Sequence, residues 1–218
     1  MGAGLKCGLD AAIKAIEALL GNNPNWVVAA LDASNAYGTV LRRVVLRALE
    51  SLAPSLVPYV HSCLEHAVHG VVSGSDGLEF VQNLEGVLQG SPLSPALFCA
   101  AIANALRVTK SEHEGVYLIS YLDDVFLLGE LDDVRAAIVT MEGEFGRVGL
   151  ALNKEKTSFF SPSQATYERL VQLKESDQED RLEGKVHEEG LRVLGVPIAT
   201  SIGVAEEVLN GRLEETIC

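Results

Sequence analysis

Residues 26–32 read WVVAALD, an apolar run without a break that ends on a carboxylate. A strand that is apolar at every position, not at alternate ones, is buried on both faces, so further layers of structure must cover it on each side. Its last residue, Asp32, then stands where the buried strand opens onto a surface. A second stretch has the same character. Residues 115–129 (GVYLISYLDDVFLLG) hold two apolar runs on either side of Asp123-Asp124, which a hairpin explains better than one long strand. The aspartate pair would then occupy the turn.

An antiparallel sheet can bring Asp32 to the same edge as Asp123 and Asp124, although 91 positions separate the first two. Carboxylates that close repel one another and raise each other's pKa, and a hard divalent cation with oxygen ligands relieves this. Two such ions about 4 Å apart suit in-line phosphoryl transfer. Asp-Asp is also ordinary turn chemistry. The apolar framing by Tyr121-Leu122 and Val125-Phe126-Leu127-Leu128 favours the tip of a buried hairpin over a solvated loop.

The rest of the chain supplies the layers. Leu9, Ile13, Ile16 and Leu20 share a face of a helix over 8–21, stopped at Gly21 and followed by Asn22-Asn23-Pro24-Asn25. Helices are expected at 40–51, 54–67 and from about Pro92 to Lys110. A hairpin is expected in HGVVSGSDGLEFVQN around its Ser73 to Gly77 turn. Leu131, Val134, Ile138, Met141, Phe145 and Val148 recur at helical spacing up to Gly149. Lys156 to Phe160 reads as a strand, and Ser161-Pro162 as the cap and first position of another helix. Between Lys174 and Gly190 seven acids face three Lys or Arg, so an exposed irregular loop is expected. Two helices on one face of an antiparallel sheet make an α+β layer of the ferredoxin-like kind.

Composition removes several classes of function. With 218 residues and 48% apolar content the chain can bury a core, while 30 acids against 17 Lys and Arg give a charge of -13. It is no polycation that holds nucleic acid by charge alone, so any such contact is local or metal-bridged. Cys7, Cys63, Cys99 and Cys218 are scattered, which points to neither a zinc site nor a disulfide framework. No run approaches the roughly 18 apolar residues of a membrane span and no leader is visible. A soluble intracellular protein is expected, with nucleus or cytoplasm left open. A dinucleotide site at Gly2-Ala3-Gly4 with Gly8 lacks both the preceding strand and the G-x-G-x-x-G spacing.

Five segments in order resemble the palm motifs of reverse transcriptases, nearest the non-LTR retrotransposon type. They are Leu31-Asp32-Ala33-Ser34-Asn35-Ala36-Tyr37, Leu88-Gln89-Gly90-Ser91-Pro92-Leu93-Ser94-Pro95, Tyr121-Leu122-Asp123-Asp124, Gly149-Leu150-Ala151-Leu152-Asn153 with Lys156-Thr157, and Leu194-Gly195-Val196-Pro197-Ile198. The resemblance implies a polymerase palm over 26–198, a remnant of the fingers region over 1–25, and the start of a thumb or a C-terminal tail over 199–218. It implies RNA-directed DNA polymerase activity by two-metal transfer, within a retroelement polyprotein. The expected cofactor is a pair of Mg2+ ions, with Mn2+ possible, and the partners are a primed RNA or DNA template, dNTP, and fingers and thumb segments from elsewhere.

By the same resemblance Asp32, Asp123 and Asp124 and the carbonyl of Ala33 would bind metal. Ala33, Asn35, Tyr37, Gln89 and Gly90 would meet the incoming nucleotide, with Tyr37 excluding a 2′-hydroxyl. Lys156 would assist the pyrophosphate leaving group, and residues 194–198 would grip the primer. On the residues alone Tyr37 could equally be a core tyrosine, Lys156 a solvated charge and 194–198 an edge strand. Arg42 matches a basic position after the first motif and could pair with a nearby carboxylate. Leu122 and Gly38 depart from the family, which often has alanine and Asp or Asn there. Few basic residues precede Trp26, namely Lys6 and Lys14, and the surface is acidic. A non-catalytic polymerase-like module that contacts protein or RNA is therefore the rival reading.

Overall fold

The computed structural model describes residues 7–65, 68–74, 77–83, 85–176 and 181–199. The Gly2-Ala3-Gly4 triplet, Lys6 and the expected thumb or tail beyond Ala199 lie outside the described residues. Strands β1 (Val27–Leu31), β4 (Tyr117–Tyr121), β5 (Asp124–Gly129), β6 (Ser158–Phe160) and β7 (Lys185–His187) form one sheet in the order β4-β5-β1-β6-β7. All its pairs are antiparallel except β6 with β7.

Alternation along the central strands divides the core in two. Val27, Ala29 and Leu31 with Val125, Leu127 and Phe159 face one side, where α5 (Ser94–Glu112) and α6 (Leu131–Val148) pack with Phe98, Ile102, Val134, Met141 and Phe145. Val28, Phe126, Leu128 and Phe160 face the other. There they meet Ile16 and Leu20 of α1 (Gly8–Asn22) and Leu191, Val193 and Ile198 of a hairpin. That hairpin joins β8 (Gly190–Val193) to β9 (Val196–Ala199) through Leu194 and Gly195. β1 is thus apolar throughout because both of its faces are covered. Each fully buried Val or Leu of this kind contributes about 1.5–3 kcal/mol.

The helices expected on one face are α5 and α6, and α1 with the β8–β9 hairpin adds a second layer. The segment between β1 and α5 carries α2 (Ala36–Thr39), α3 (Arg42–Leu52), a 3-10 turn at Pro54–Leu56, α4 (Val57–Glu65) and the hairpin β2 (Val68–Gly74) to β3 (Gly77–Asn83). Two expectations are corrected. The acidic stretch 174–190 is not all irregular loop: Leu182 is buried and Lys185–His187 extend the sheet as β7 beside β6. Net charge described its solvated side and missed the alternate residues, Val186 among them, that face the core. The last helix, α7 (Gln164–Glu175), starts two residues later than Ser161-Pro162 suggested. Ser163 is its cap and accepts from the Thr166 N–H, while the buried Ser161 hydroxyl accepts from the Ser163 N–H.

Candidate active site at the end of the central strands

The register of β1 and β5 runs from Val27 opposite Gly129 to Leu31 opposite Val125. Asp32 follows the last paired residue of β1, and Asp124, the residue before Val125, opens β5. On the other side, β4 pairs Tyr121 with Asp124, so Leu122 and Asp123 form a two-residue turn. The pair expected in the turn is therefore divided: Asp123 is at the tip and Asp124 is the first residue of the strand. Leu122 takes the left-handed conformation at φ 57°, which a branched residue adopts only at a cost.

These carboxylates feel one another. Asp124 is pushed up from the usual 3.8 to about 6 by partial desolvation first, then by the charges of Asp123 and Asp32. Asp123 and Asp124 both retain solvent exposure. Among the described residues no group of three or more His, Cys, Asp or Glu side chains stands arranged to hold a metal ion.

The loop after β1 is fixed by pairing with residues beyond α6. The Asn153 N–H donates to the Asp32 carbonyl at 2.7 Å and the Ser34 N–H to the Ala151 carbonyl at 2.9 Å, with Ala33 opposite Leu152 between them. In such a bridge the flanking residues exchange the bonds, so the carbonyl of Ala33 is left directed away from this partner. The polar atoms that Asp32, Ala33, Asp123 and Asp124 offer are hard oxygens, the donor type that divalent cations such as Mg2+ and Ca2+ take.

Tyr37, in α2, stacks on Phe98 of α5 with ring centroids 4.8 Å apart and planes 16° from parallel. Burial pushes its phenol up, and the charges of Asp123 and Cys99 add to this. Its backbone is clamped: the Val87 N–H donates to the Tyr37 carbonyl at 2.7 Å, and a Cβ on Gly86 would collide with that carbonyl and with Gly38. Asn35 is exposed at φ 46°, and its amide lies over Gly38, so a side chain at 38 would require that amide to turn aside.

Gln89 and Gly90 are exposed in a turn before α5, and Gly90, at φ 88°, has open space where a Cβ would be. Lys156 is exposed in the turn that follows Asn153. Its backbone N–H donates to Asn153, whereas its ammonium forms no ion pair among the described residues. Asp32, Asp123, Asp124 and Tyr37 are thus linked by electrostatic influence, Asp124 feeling Asp123 and Asp32 and Tyr37 feeling Asp123, whereas no carboxylate among the described residues contacts the Lys156 side chain. The Arg42 guanidinium donates to the carbonyls of Leu64 at 2.8 Å and Gly86 at 3.1 Å, and its backbone N–H donates to the Glu85 carboxylate at 3.2 Å. Phe98 and Cys99 were missed as neighbours of the site because helical periodicity marks 97, 98, 101 and 102 simply as core. Burial pushes the Cys99 thiol up and Asp123 adds to it.

An antiparallel sheet backed by two helices, with acidic residues at the ends of its central strands, is a polymerase palm. The family model described as reverse transcriptase (RNA-dependent DNA polymerase) matches residues 7–198. The chain belongs to the reverse transcriptase family. It is 28% identical over 145 residues to the Pol polyprotein of the type-1 retrotransposable element R2 of Popillia japonica, which covers 62% of this chain and 24% of that protein. Among solved structures it is similar to apo telomerase of Candida tropicalis truncated from its C-terminal domain, with a TM-score of 0.57 at 15% identity over 88% of this chain and 38% of that one. Telomerase of Candida albicans in complex with a fragment of telomeric RNA gives 0.56 at 16% identity, over 88% and 32%. The chain therefore spans a quarter to two fifths of the length of these relatives. Reverse transcriptases normally use divalent metals. No helix among the described residues is long and apolar enough to cross a membrane.

Proposed function

We propose that this chain forms the catalytic palm of an RNA-directed DNA polymerase, which extends a primer 3′-hydroxyl by attack on the α-phosphorus of a dNTP with pyrophosphate leaving. The observation that carries the reading is the mutual influence of three acids at the end where β1 pairs with β5: Asp124 is raised to about 6 by desolvation first and then by the charges of Asp123 and Asp32. Carboxylates that raise one another's pKa are relieved by a hard divalent cation.

Asp32, Asp123, Asp124 and the Ala33 carbonyl would hold two Mg2+ ions, or Mn2+. Bound there, the ions would lower the pKa of the attacking hydroxyl and steady the leaving oxygen. Tyr37 presents a flat ring to the nucleotide sugar and leaves no room for a 2′-hydroxyl. Asn35, Gln89 and the open backbone at Gly90 would meet the incoming nucleotide and the nascent pair, and Lys156 would turn toward the pyrophosphate. The β8–β9 hairpin would meet the primer. A primed RNA or DNA template is the partner, and fingers and thumb would come from other segments of a longer polyprotein.

Calorimetry with Mg2+ and Mn2+, paired with primer extension on homopolymeric RNA and DNA templates, tests this. Binding and extension that are both lost in Asp123→Asn are expected. A folded parent that binds neither ion and extends no primer, alone or with fingers and thumb supplied, would support the rival reading of a non-catalytic contact module.

A further inference from the structure

Tyr37 is fixed twice, and the two fixings have different origins. Its main chain is held by the Val87 N–H and by the close approach of Gly86, both from the loop before α5. With the backbone pinned, the direction of the ring depends on two side-chain rotations. These are limited by Phe98, which comes from α5, is 1% exposed and lies nearly parallel to the phenol at 4.8 Å. A buried ring flat against one face of Tyr37 leaves the opposite face of this half-buried side chain for a ligand.

We infer that Phe98 is a positioning residue for sugar discrimination: by backing the Tyr37 ring it sets how far the pocket extends beneath the 2′ carbon of an incoming nucleotide. This rests on the reading of Tyr37 as the sugar gate. Phe98 itself, enclosed in the core, touches no substrate. A gate held only at its backbone could swing or sink when a 2′-hydroxyl presses on it, and a gate with a ring behind it cannot yield without disturbing α5 and its buried neighbours Leu97, Ala101 and Ile102.

The test compares parent, Phe98→Leu, Phe98→Tyr and Tyr37→Val in the full gene product, by the ratio of kcat/KM for dCTP and CTP in primer extension. Leucine keeps most of the bulk and removes the stacking face, and tyrosine keeps the face. Phe98→Leu is expected to lower the preference for dCTP roughly two- to tenfold, the factor that corresponds to the loss of one aromatic stack. The change should fall mainly on the KM for CTP, and Phe98→Tyr should stay near the parent. A relaxed Tyr37→Val beside an unchanged Phe98→Leu would overturn the inference while leaving the gate intact. An unchanged Tyr37→Val would overturn the reading of the gate and the inference with it. A crystal structure of Phe98→Leu decides the point without activity: a displaced or multiply oriented Tyr37 ring is expected, and a ring that keeps its plane would overturn the inference.

Discussion

Neutralising Asp124 should stabilise the metal-free protein, although it removes a residue from the candidate active site. Its carboxyl is raised from 3.8 to about 6, by desolvation and then by Asp123 and Asp32. The folded state thus holds this proton more tightly than the unfolded chain does. The stability linked to it is fully present below about 3.8, and is lost as the pH rises through about 6. A shift of two units corresponds to about 3 kcal/mol, but Asp124 keeps solvent contact, and screening reduces this to about 1 kcal/mol. For a chain of this size Asp124→Asn should then raise Tm by about 2–4 °C at pH 8 in EDTA. The gain should shrink through the window between the two values and vanish at acid pH. Scanning calorimetry across that range measures it. Added Mg2+ should raise the Tm of the parent more than that of the variant, since a cation removes the same repulsion. A variant no more stable than the parent at pH 8, with identical responses to Mg2+, would refute the claim that these carboxylates press on one another.

Further outcomes follow from packing and backbone geometry. Gly86→Ala places a Cβ against the Tyr37 carbonyl at a residue with φ 76°, and should cost about 3 kcal/mol in urea melts. Leu122→Gly relieves the left-handed conformation at φ 57° and should gain up to about 1 kcal/mol by the same measurement. Arg42→Lys cannot hold the two carbonyls of Leu64 and Gly86 with one fork, so it should destabilise by about 1–2 kcal/mol, nearly as much as Arg42→Ala. Phe159→Ala and Phe160→Ala open cavities on opposite faces of the sheet, and each should cost about 3–5 kcal/mol in thermal melts.

What could be read from the sequence depended on how locally each feature is determined. The run 26–32 announced a strand covered on both sides because every residue in it is apolar, and α1 and α6 followed from helical spacing that needs no knowledge of partners. The acidic cluster was legible as a possibility, since two apolar-framed carboxylate sites in one sheet can meet. What the residues could not give is register: the pairing of 27 with 129 and 31 with 125 is a tertiary fact, and a slip of one residue would have turned Asp124 to the other face. β7 was hidden for the opposite reason. A three-residue parallel edge strand needs only one inward side chain, too short a pattern to stand out against the charge around it. Phe98 and Gly86 were invisible as parts of the site because each acts through a neighbour far away in sequence. Their positions read only as core and turn until α5 and the 85–87 loop close around Tyr37. The acidic balance then takes on a local meaning. The charges of Asp32, Asp123 and Asp124 are concentrated at strand ends where a cation would be drawn. On the proposed reading, the same charges that an overall count sets against nucleic acid would be met by a triphosphate that arrives with its metal.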